Sequence, residues 1–478
     1  MTTSPDAGRS VQHVVVVGAG IAGLSAAASL RQRRPDLEVT VLESSPSVGG
    51  KLSLGEVAGI TVDVGAESML NRRPEGTELA RLCGLTDRLV HPATTSARLW
   101  SRDAMRPMPR TLMGVPTDAR ELAESGVISK AGLARAALDA LLPATHLNGK
   151  DISVGDLIEE RFGREVVDRL VEPLLGGVYA GHARRISARA AVPQVLGLVE
   201  KNRSMLKAAH AATRNTSDVP VFAGLVGGIG QLPAAIATST GVDVRLDSTV
   251  RDLARRAEGG WNLVVGSTRD PEIVQADGVI LATPAKPTAR LLSDVAPLAA
   301  MTLARIEYAS MAIVTMAFRR RDFPQTEGSG FLVPPVDGHA IKAVTYSFAK
   351  WQWVADAGAA DDLVVMRCSI GRHREESVLQ VDDADLVETA LGDLAQAIGL
   401  SARPVDTHVQ RWGGALPQYA VGHVERVGAI RSSVASQPGL AVCGAAYDGL
   451  GIPACIASAN LAVTQVLAAL DGQERMGP

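Results

Sequence analysis

The first patterned segment is Val14-Val15-Val16-Val17, four β-branched residues in a row. Such an unbroken apolar run suits a strand buried on both faces of a parallel sheet. Gly18-Ala19-Gly20-Ile21-Ala22-Gly23 follows, and residues 24–33 then place small apolar side chains at helical spacing until Pro35 stops them. With a second strand predicted over 39–42, this is a βαβ unit. From 116 to 213 alanine, leucine, arginine and glutamate dominate, and the pattern predicts helices over 130–142, 154–162, 165–175 and 192–212. Strands are predicted again at 242–246, 261–265 and 279–281. A β-rich stretch follows, with strands at 312–318, 330–333, 341–347 and 363–370. A helix over 386–398 and a short strand over 440–443 come next. Residues 449–470 then carry no charge for 22 positions. Pro453, Ser458, Asn460, Thr464 and Gln465 interrupt that run, so it reads as a buried helix and not as a membrane span.

Composition narrows the class. Among 478 residues, 46% are hydrophobic and 21% charged, which excludes a disordered or collagen-like chain. The net charge of −3 argues against a general nucleic-acid binder. Aromatic residues make up only 3%, so the core must be aliphatic and a site built of stacked rings is not expected. Cys83, Cys368, Cys443 and Cys455 are widely spaced, with neither a disulfide framework nor a metal spacing, and a reducing cytoplasm is the simplest home. The nine histidines show no metal spacing either, so no metal is expected. The first ten residues are largely polar, so no signal sequence is expected there.

The glycine-rich turn carries the chemistry. It follows a strand, opens a helix, and is followed 20 residues after Gly23 by Glu43 at the end of the second strand. Gly18 allows the tight turn, Gly20 a close approach to pyrophosphate, and Gly23 close packing of helix on strand. Glu43 would accept hydrogen bonds from ribose hydroxyls and repel a 2′-phosphate. A longer cofactor than NAD is indicated by what comes next. Gly49-Gly50-Lys51 supplies a second glycine pair with a cation, and Asp63-Val64-Gly65-Ala66-Glu67-Ser68 ends a short strand. Ser248-Thr249-Val250 ends another strand, where adenine could stack. A small-residue turn at 282–284 and the N-terminus of the uncharged helix complete a set that fits FAD. Tyr447 and Asp448 lie beside that N-terminus, as candidates to face the flavin or to cap the helix.

The chain resembles the flavin amine oxidase superfamily and, within it, the protoporphyrinogen/coproporphyrinogen oxidase family. The resemblance spans nearly its whole length. It rests on Glu172-Pro173-Leu174-Leu175-Gly176-Gly177-Val178-Tyr179-Ala180-Gly181, Gly227-Gly228-Ile229-Gly230-Gln231-Leu232-Pro233, Gly330-Phe331-Leu332-Val333-Pro334, Lys350-Trp351, Arg411-Trp412 and Leu416-Pro417-Gln418-Tyr419-Ala420-Val421-Gly422-His423. It implies an α/β fold: a Rossmann-like FAD-binding domain (11–90, 220–295 and 426–472), an interleaved mixed-sheet substrate domain (91–115 and 296–425) and a helical insertion (116–213). It adds Ser44, Lys51, Gly65, Ala66, Glu67, Ser68, Val250, Trp412, Ile452, Pro453 and Ala454 to Gly18, Ala19, Gly20, Ile21, Ala22, Gly23 and Glu43 as flavin contacts.

The implied reaction removes six hydrogens from a porphyrinogen and passes the electrons through FAD to O2, giving H2O2, as a step of haem biosynthesis. Coproporphyrinogen III is the expected substrate, with protoporphyrinogen IX, or an amine or carotenoid, as alternatives. Such chemistry needs an apolar chamber and no nucleophile, so no catalytic side chain is assigned. Carboxylates of the substrate call for arginine forks: Arg98 stands at the family's propionate position, Arg73 follows the flavin-contacting segment, and Gly181 lies in the narrower motif. The helical insertion is the face on which a membrane surface or a ferrochelatase could dock.

Overall fold

The computed structural model describes residues 11–214 and 219–475; the polar first ten residues lie outside that range. Five parallel strands form the first sheet, in the order Asp243–Arg245, Glu38–Leu42, His13–Val17, Gly278–Leu281, Leu440–Val442. Its members come from the start, middle and end of the chain. The valine run sits at its centre: Val14 and Val16 face a core shared with the helices Ile21–Arg33 and Ile452–Arg475, while Val15 and Val17 face a second core. That second core is covered by the three-stranded meander Val250–Arg255, Trp261–Gly266, Pro271–Ala276 and by the helices Pro297–Ala304 and His423–Ala435. Burial on both faces is what an unbroken β-branched strand requires.

The C-terminal helix is the one described helix long and apolar enough to cross a bilayer, over Ile452–Gly472, and 61% of an 18-residue apolar window within it is buried inside the protein. Its alanines and valines pack into the first core, with Ala459, Ala462, Val463 and Val466 fully covered.

A second sheet has seven strands, in the order Asp406–Pro417, Tyr308–Arg319, Leu363–Ile370, Ile341–Thr345, Gly330–Leu332, Arg98–Ser101, Ala104–Pro107. It is antiparallel except where Gly330–Leu332 runs parallel to Arg98–Ser101. The helical stretch between 119 and 213 has its own core around Leu157, Ile158, Val167, Leu170 and Val171.

Two of the predicted helices break, each for a local reason. Over 165–175 the backbone widens into a five-residue π-type segment, Val167–Val171, before continuing as Glu172–Tyr179. Pro173 has no N–H to donate back to Arg169, and its ring crowds the normal turn there. The span 192–212 is two helices, Pro193–Lys201 and Met205–Thr213. At the break, the Asp139 carboxylate accepts from Ser204 Oγ (2.8 Å), Met205 N (3.2 Å) and Leu206 N (3.1 Å). It also pairs with Arg161 at 2.7 Å, the two side chains being 3% and 2% exposed. This buried pair fixes the chain reversal more strongly than helical propensity extends it.

Removing one partner would strand the other's charge. Asp139→Ala should therefore lower unfolding free energy by about 3–5 kcal/mol, read by urea denaturation; a loss of under about 1 kcal/mol would mean the pair does not anchor the helical layer.

Candidate functional site

The strand His13–Val17 delivers Gly18 to the carboxyl edge of the parallel sheet. Gly18 has φ +104° and donates its N–H to the Leu42 carbonyl at 2.8 Å. A Cβ on Gly23 would fall 1.8 Å from the Gly18 oxygen, so the helix can approach the turn only with glycine there. A Cβ on Gly20 would meet nothing within 4 Å, which leaves that face of the turn open. Gly49 and Gly50, at φ +115° and +58°, continue the rim, and Gly49 N–H donates to the Ala19 carbonyl at 2.9 Å.

A cavity of about 450 Å³ runs from this rim across the sheet edge. Gly18, Gly20, Ile21, Ala22, Glu43, Ser44, Lys51, Ala66, Val250 and Ile452 line it, ten of the positions expected to touch a flavin. The Glu43 carboxylate accepts from Ala19 N (2.6 Å), Ser45 N (2.9 Å) and Ser45 Oγ (2.9 Å). It thus braces the glycine turn while keeping lone pairs for a ribose hydroxyl. Lys51 is exposed, yet desolvation by the protein around it lowers its pKa, and it has no ion pair among the described residues. A cation without an ion pair beside an open glycine rim fits a pyrophosphate.

Other expected contacts stand elsewhere. Ala19 and Gly23 shape the turn from behind. Pro453 and Ala454 belong to the first turn of the C-terminal helix without lining the cavity, and Ser68, Gly65 and Trp412 do not line it either. Val250 opens a strand and does not end one, because the preceding Ser248 is tied by its N–H to the Glu43 carbonyl at 2.7 Å. Tyr447 is buried in the second core, away from the cavity, and Asp448 pairs with Arg431 (Nη1–Oδ1 2.8 Å) in place of facing a cofactor. Cys455 does line the wall, with its thiol pushed up to about 12 by burial, so it stands there as an uncharged, inert group. Arg290 and Tyr308 also line it and carried no local signal.

A second cavity, of about 400 Å³, lies between the seven-stranded sheet and the helical layer. Met108, Leu174, Val178, Met311, Ile313 and Phe331 give it an apolar wall; its charged lining residues are Glu67, Lys350 and Arg367. Ala66 lines the first cavity and Glu67 the second, so the two spaces lie on either side of consecutive residues. Glu67 pairs with Lys350 and lies 3.4 Å from Arg367. Burial pushes its carboxyl upward, but Lys350 and then Arg367 outweigh this and leave it below the usual range, ionised. The backbone here is held from the other sheet. Arg367 donates to the carbonyls of Asp63 (3.0 Å) and Gly65 (2.9 Å), and Trp412 Nε1 to that of Val64 (2.9 Å).

None of the three residues named for substrate lines this space. Arg98 adjoins Ala97, which does; its guanidinium pairs with Glu327 and donates to the Met105 carbonyl at 3.1 Å. Arg73 pairs with Glu75, which lines a separate surface cleft. Gly181 leaves room for Gln418, whose Oε1 would lie 2.0 Å from a Cβ. Arg367 was detectable in principle: it is a charge in the middle of an otherwise apolar strand, Leu363–Ile370, where an unpaired cation would be costly.

A glycine-rich turn at the head of a parallel sheet, opening on an apolar second chamber, defines a dinucleotide-dependent oxidoreductase. The chain belongs to the family of flavin containing amine oxidoreductases, whose profile matches residues 21–467, and its cofactor is FAD. It is 38% identical over 466 residues to coproporphyrinogen III oxidase of Mycobacterium tuberculosis, covering 96% of this chain and 98% of that one. To coproporphyrinogen III oxidase of Bacillus subtilis it is 31% identical, covering 95% and 98%. A crystal structure from Exiguobacterium sp. 255-15, provisionally assigned as a protoporphyrinogen oxidase, superposes with a TM-score of 0.86 at 30% identity, covering 97% of this chain and all of that one.

If Lys51 is the pyrophosphate cation, Lys51→Met should weaken FAD binding to the apoprotein by about tenfold or more, measured by quenching of flavin fluorescence. An unchanged affinity would remove Lys51 from the cofactor site.

Proposed function

We propose that this protein is an FAD-dependent oxidase that converts coproporphyrinogen III to coproporphyrin III, with three O2 reduced to three H2O2. The observation that carries the reading is the adjacency of the two cavities across Ala66 and Glu67, one with the features of an FAD cleft and the other largely apolar. The near full-length likeness to enzymes named for this substrate supports it.

Bound FAD supplies a two-electron acceptor for each of three dehydrogenation steps. The protein's part is to hold and to exclude. Gly18, Ala19, Gly20, Ile21, Ala22 and Gly23 would form the phosphate turn, with Glu43 and Ser44 to hold ribose, Lys51 the pyrophosphate and Val250 the adenine. The wall from Met108 to Phe331 keeps water from the reacting carbon, and a volume of about 400 Å³ falls within the range of small-molecule sites. No lining residue has the geometry of a nucleophile and base. Glu67, held ionised between Lys350 and Arg367, fixes the wall between the chambers. Arg98, next to the lining residue Ala97, is the arginine we assign to a substrate carboxylate at the cavity mouth. We place the enzyme in the cytoplasm, in keeping with its four free cysteines.

A second reading, oxidation of protoporphyrinogen IX, is favoured by the provisional assignment of the Exiguobacterium structure. Steady-state kinetics of the purified holoenzyme with both porphyrinogens, without detergent, separate them. A kcat/KM higher for the tetracarboxylate by about tenfold or more, with three H2O2 per porphyrin, is the expected result. A preference for the dicarboxylate would replace the substrate, and no porphyrin formation from either would overturn the reading.

A further inference from the structure

A third cavity, of about 400 Å³, lies outside the two already described, and its lining is cationic. It gathers residues from four separate stretches of chain: Arg185 from the helical layer, Arg305 and Glu307 from just before the strand Tyr308–Arg319, His373 and Arg374 from just after Leu363–Ile370, and Arg426 from the helix His423–Ala435. Four arginines and a histidine therefore face one carboxylate, that of Glu307.

That carboxylate is already engaged. Its oxygens accept from Arg374 Nη2 at 2.9 and 3.1 Å, and Oε2 lies 3.0 Å from His373 Nε2. Hydrogen bonding from Arg374 outweighs desolvation and holds Glu307 below the usual carboxylate range, so it stays ionised and committed. Arg426 donates only to backbone oxygens, those of Val421 (3.1 Å) and Ala420 (2.7 Å), which orient the fork, while Asp151 and Glu425 act on its charge without pairing with it directly. Among the described residues neither Arg185 nor Arg305 has a side-chain hydrogen bond or ion pair.

Two further features set the place apart from a solvated basic face. His373 is covered, its side chain 6% exposed, and Nδ1 of its ring has no hydrogen-bond partner. Arg374 is held at φ +68°, a left-handed conformation that residues with a side chain seldom adopt. Like charges gathered in a concavity repel one another, and this arrangement is stable with a counter-anion seated among them. Arginine forks are the side chains best matched to planar or tetrahedral oxyanions.

We propose that this cavity is a second ligand site, which binds a compact oxyanion, carboxylate or phosphate, through Arg185, Arg305 and Arg426. Its position gives the occupant a route to the cofactor: Glu307 lines this cavity, and the next residue, Tyr308, lines the FAD cleft. An anion that draws Arg374 or His373 away from Glu307 shifts the start of the strand that carries Tyr308.

The test is calorimetric titration of the holoenzyme with inorganic phosphate and, separately, with citrate, at ionic strength held constant with chloride. Saturable binding of at least one is expected, and Arg185→Gln/Arg305→Gln should weaken it by about tenfold or more. Both arginines are exposed and unpaired, so the double variant should keep its flavin content and spectrum. Tighter phosphate than citrate assigns phosphate or its esters as the source, and the reverse assigns a carboxylate. Absence of saturable binding by both anions, or equal affinity in the double variant, would overturn the proposal.

Discussion

The arrangement depends on how two sheets that share no strand are joined at residues 63–67. Successive carbonyls at Asp63, Val64 and Gly65 are each claimed by a side chain of the seven-stranded sheet, Arg367 taking the first and third and Trp412 the second. From the other side, Val64 N–H donates to the Ser53 carbonyl (3.0 Å) and Ala66 N–H to that of Lys51 (3.1 Å), while the Asp63 carboxylate accepts from Ile229 N (3.0 Å) and Gly230 N (2.8 Å). Burial pushes Asp63 up to about 6, offset in part by those two N–H groups, so the join is made of polar groups satisfied almost entirely within the protein. Buried polar networks of this kind specify one geometry, because any slip leaves a donor or acceptor unpaired.

From that join the two chambers take their relation. Gly65 packs against Lys51 and Trp412, where a Cβ would lie 2.0 Å from the Lys51 carbonyl oxygen and 3.3 Å from the indole, so the segment can thread between the two sheets only as glycine. Ala66 then closes the cofactor cleft and Glu67 the apolar chamber. Reaction between a bound ring and a bound macrocycle requires only that both be held and that water be kept away. Of the chamber's three charged residues, Glu67 is paired to both cations, and the rest of the wall is mostly aliphatic with Phe222, Phe331 and a few hydroxyl side chains.

Local chemistry made much of this legible beforehand. The valine run, the glycine turn, Glu43 at the end of the next strand and the uncharged final helix each announce themselves within a few residues, because backbone freedom and two-sided burial act at short range. The strand Asp406–Pro417 did not: its sequence is polar, with two glycines and a terminal proline, and it is held extended by pairing along almost the whole length of Tyr308–Arg319. Glu67 was read as a flavin contact, yet alternation from Ala66 sends it to the other chamber, where Lys350 and Arg367 arrive from some 300 residues away in sequence. The break at Asn202 was likewise invisible, since Asp139 and Arg161 impose it from outside the segment. What sequence withheld was long-range pairing of charge.

The most direct measurement of the join is anaerobic rapid mixing of the holoenzyme with coproporphyrinogen III, following loss of oxidised-flavin absorbance in wild type and Arg367→Met. The account predicts prompt bleaching in the wild type. In the variant, with FAD still bound, it predicts bleaching slower by about a hundredfold, because the wall between cofactor and substrate is no longer fixed. Equal rates in the two proteins would contradict it.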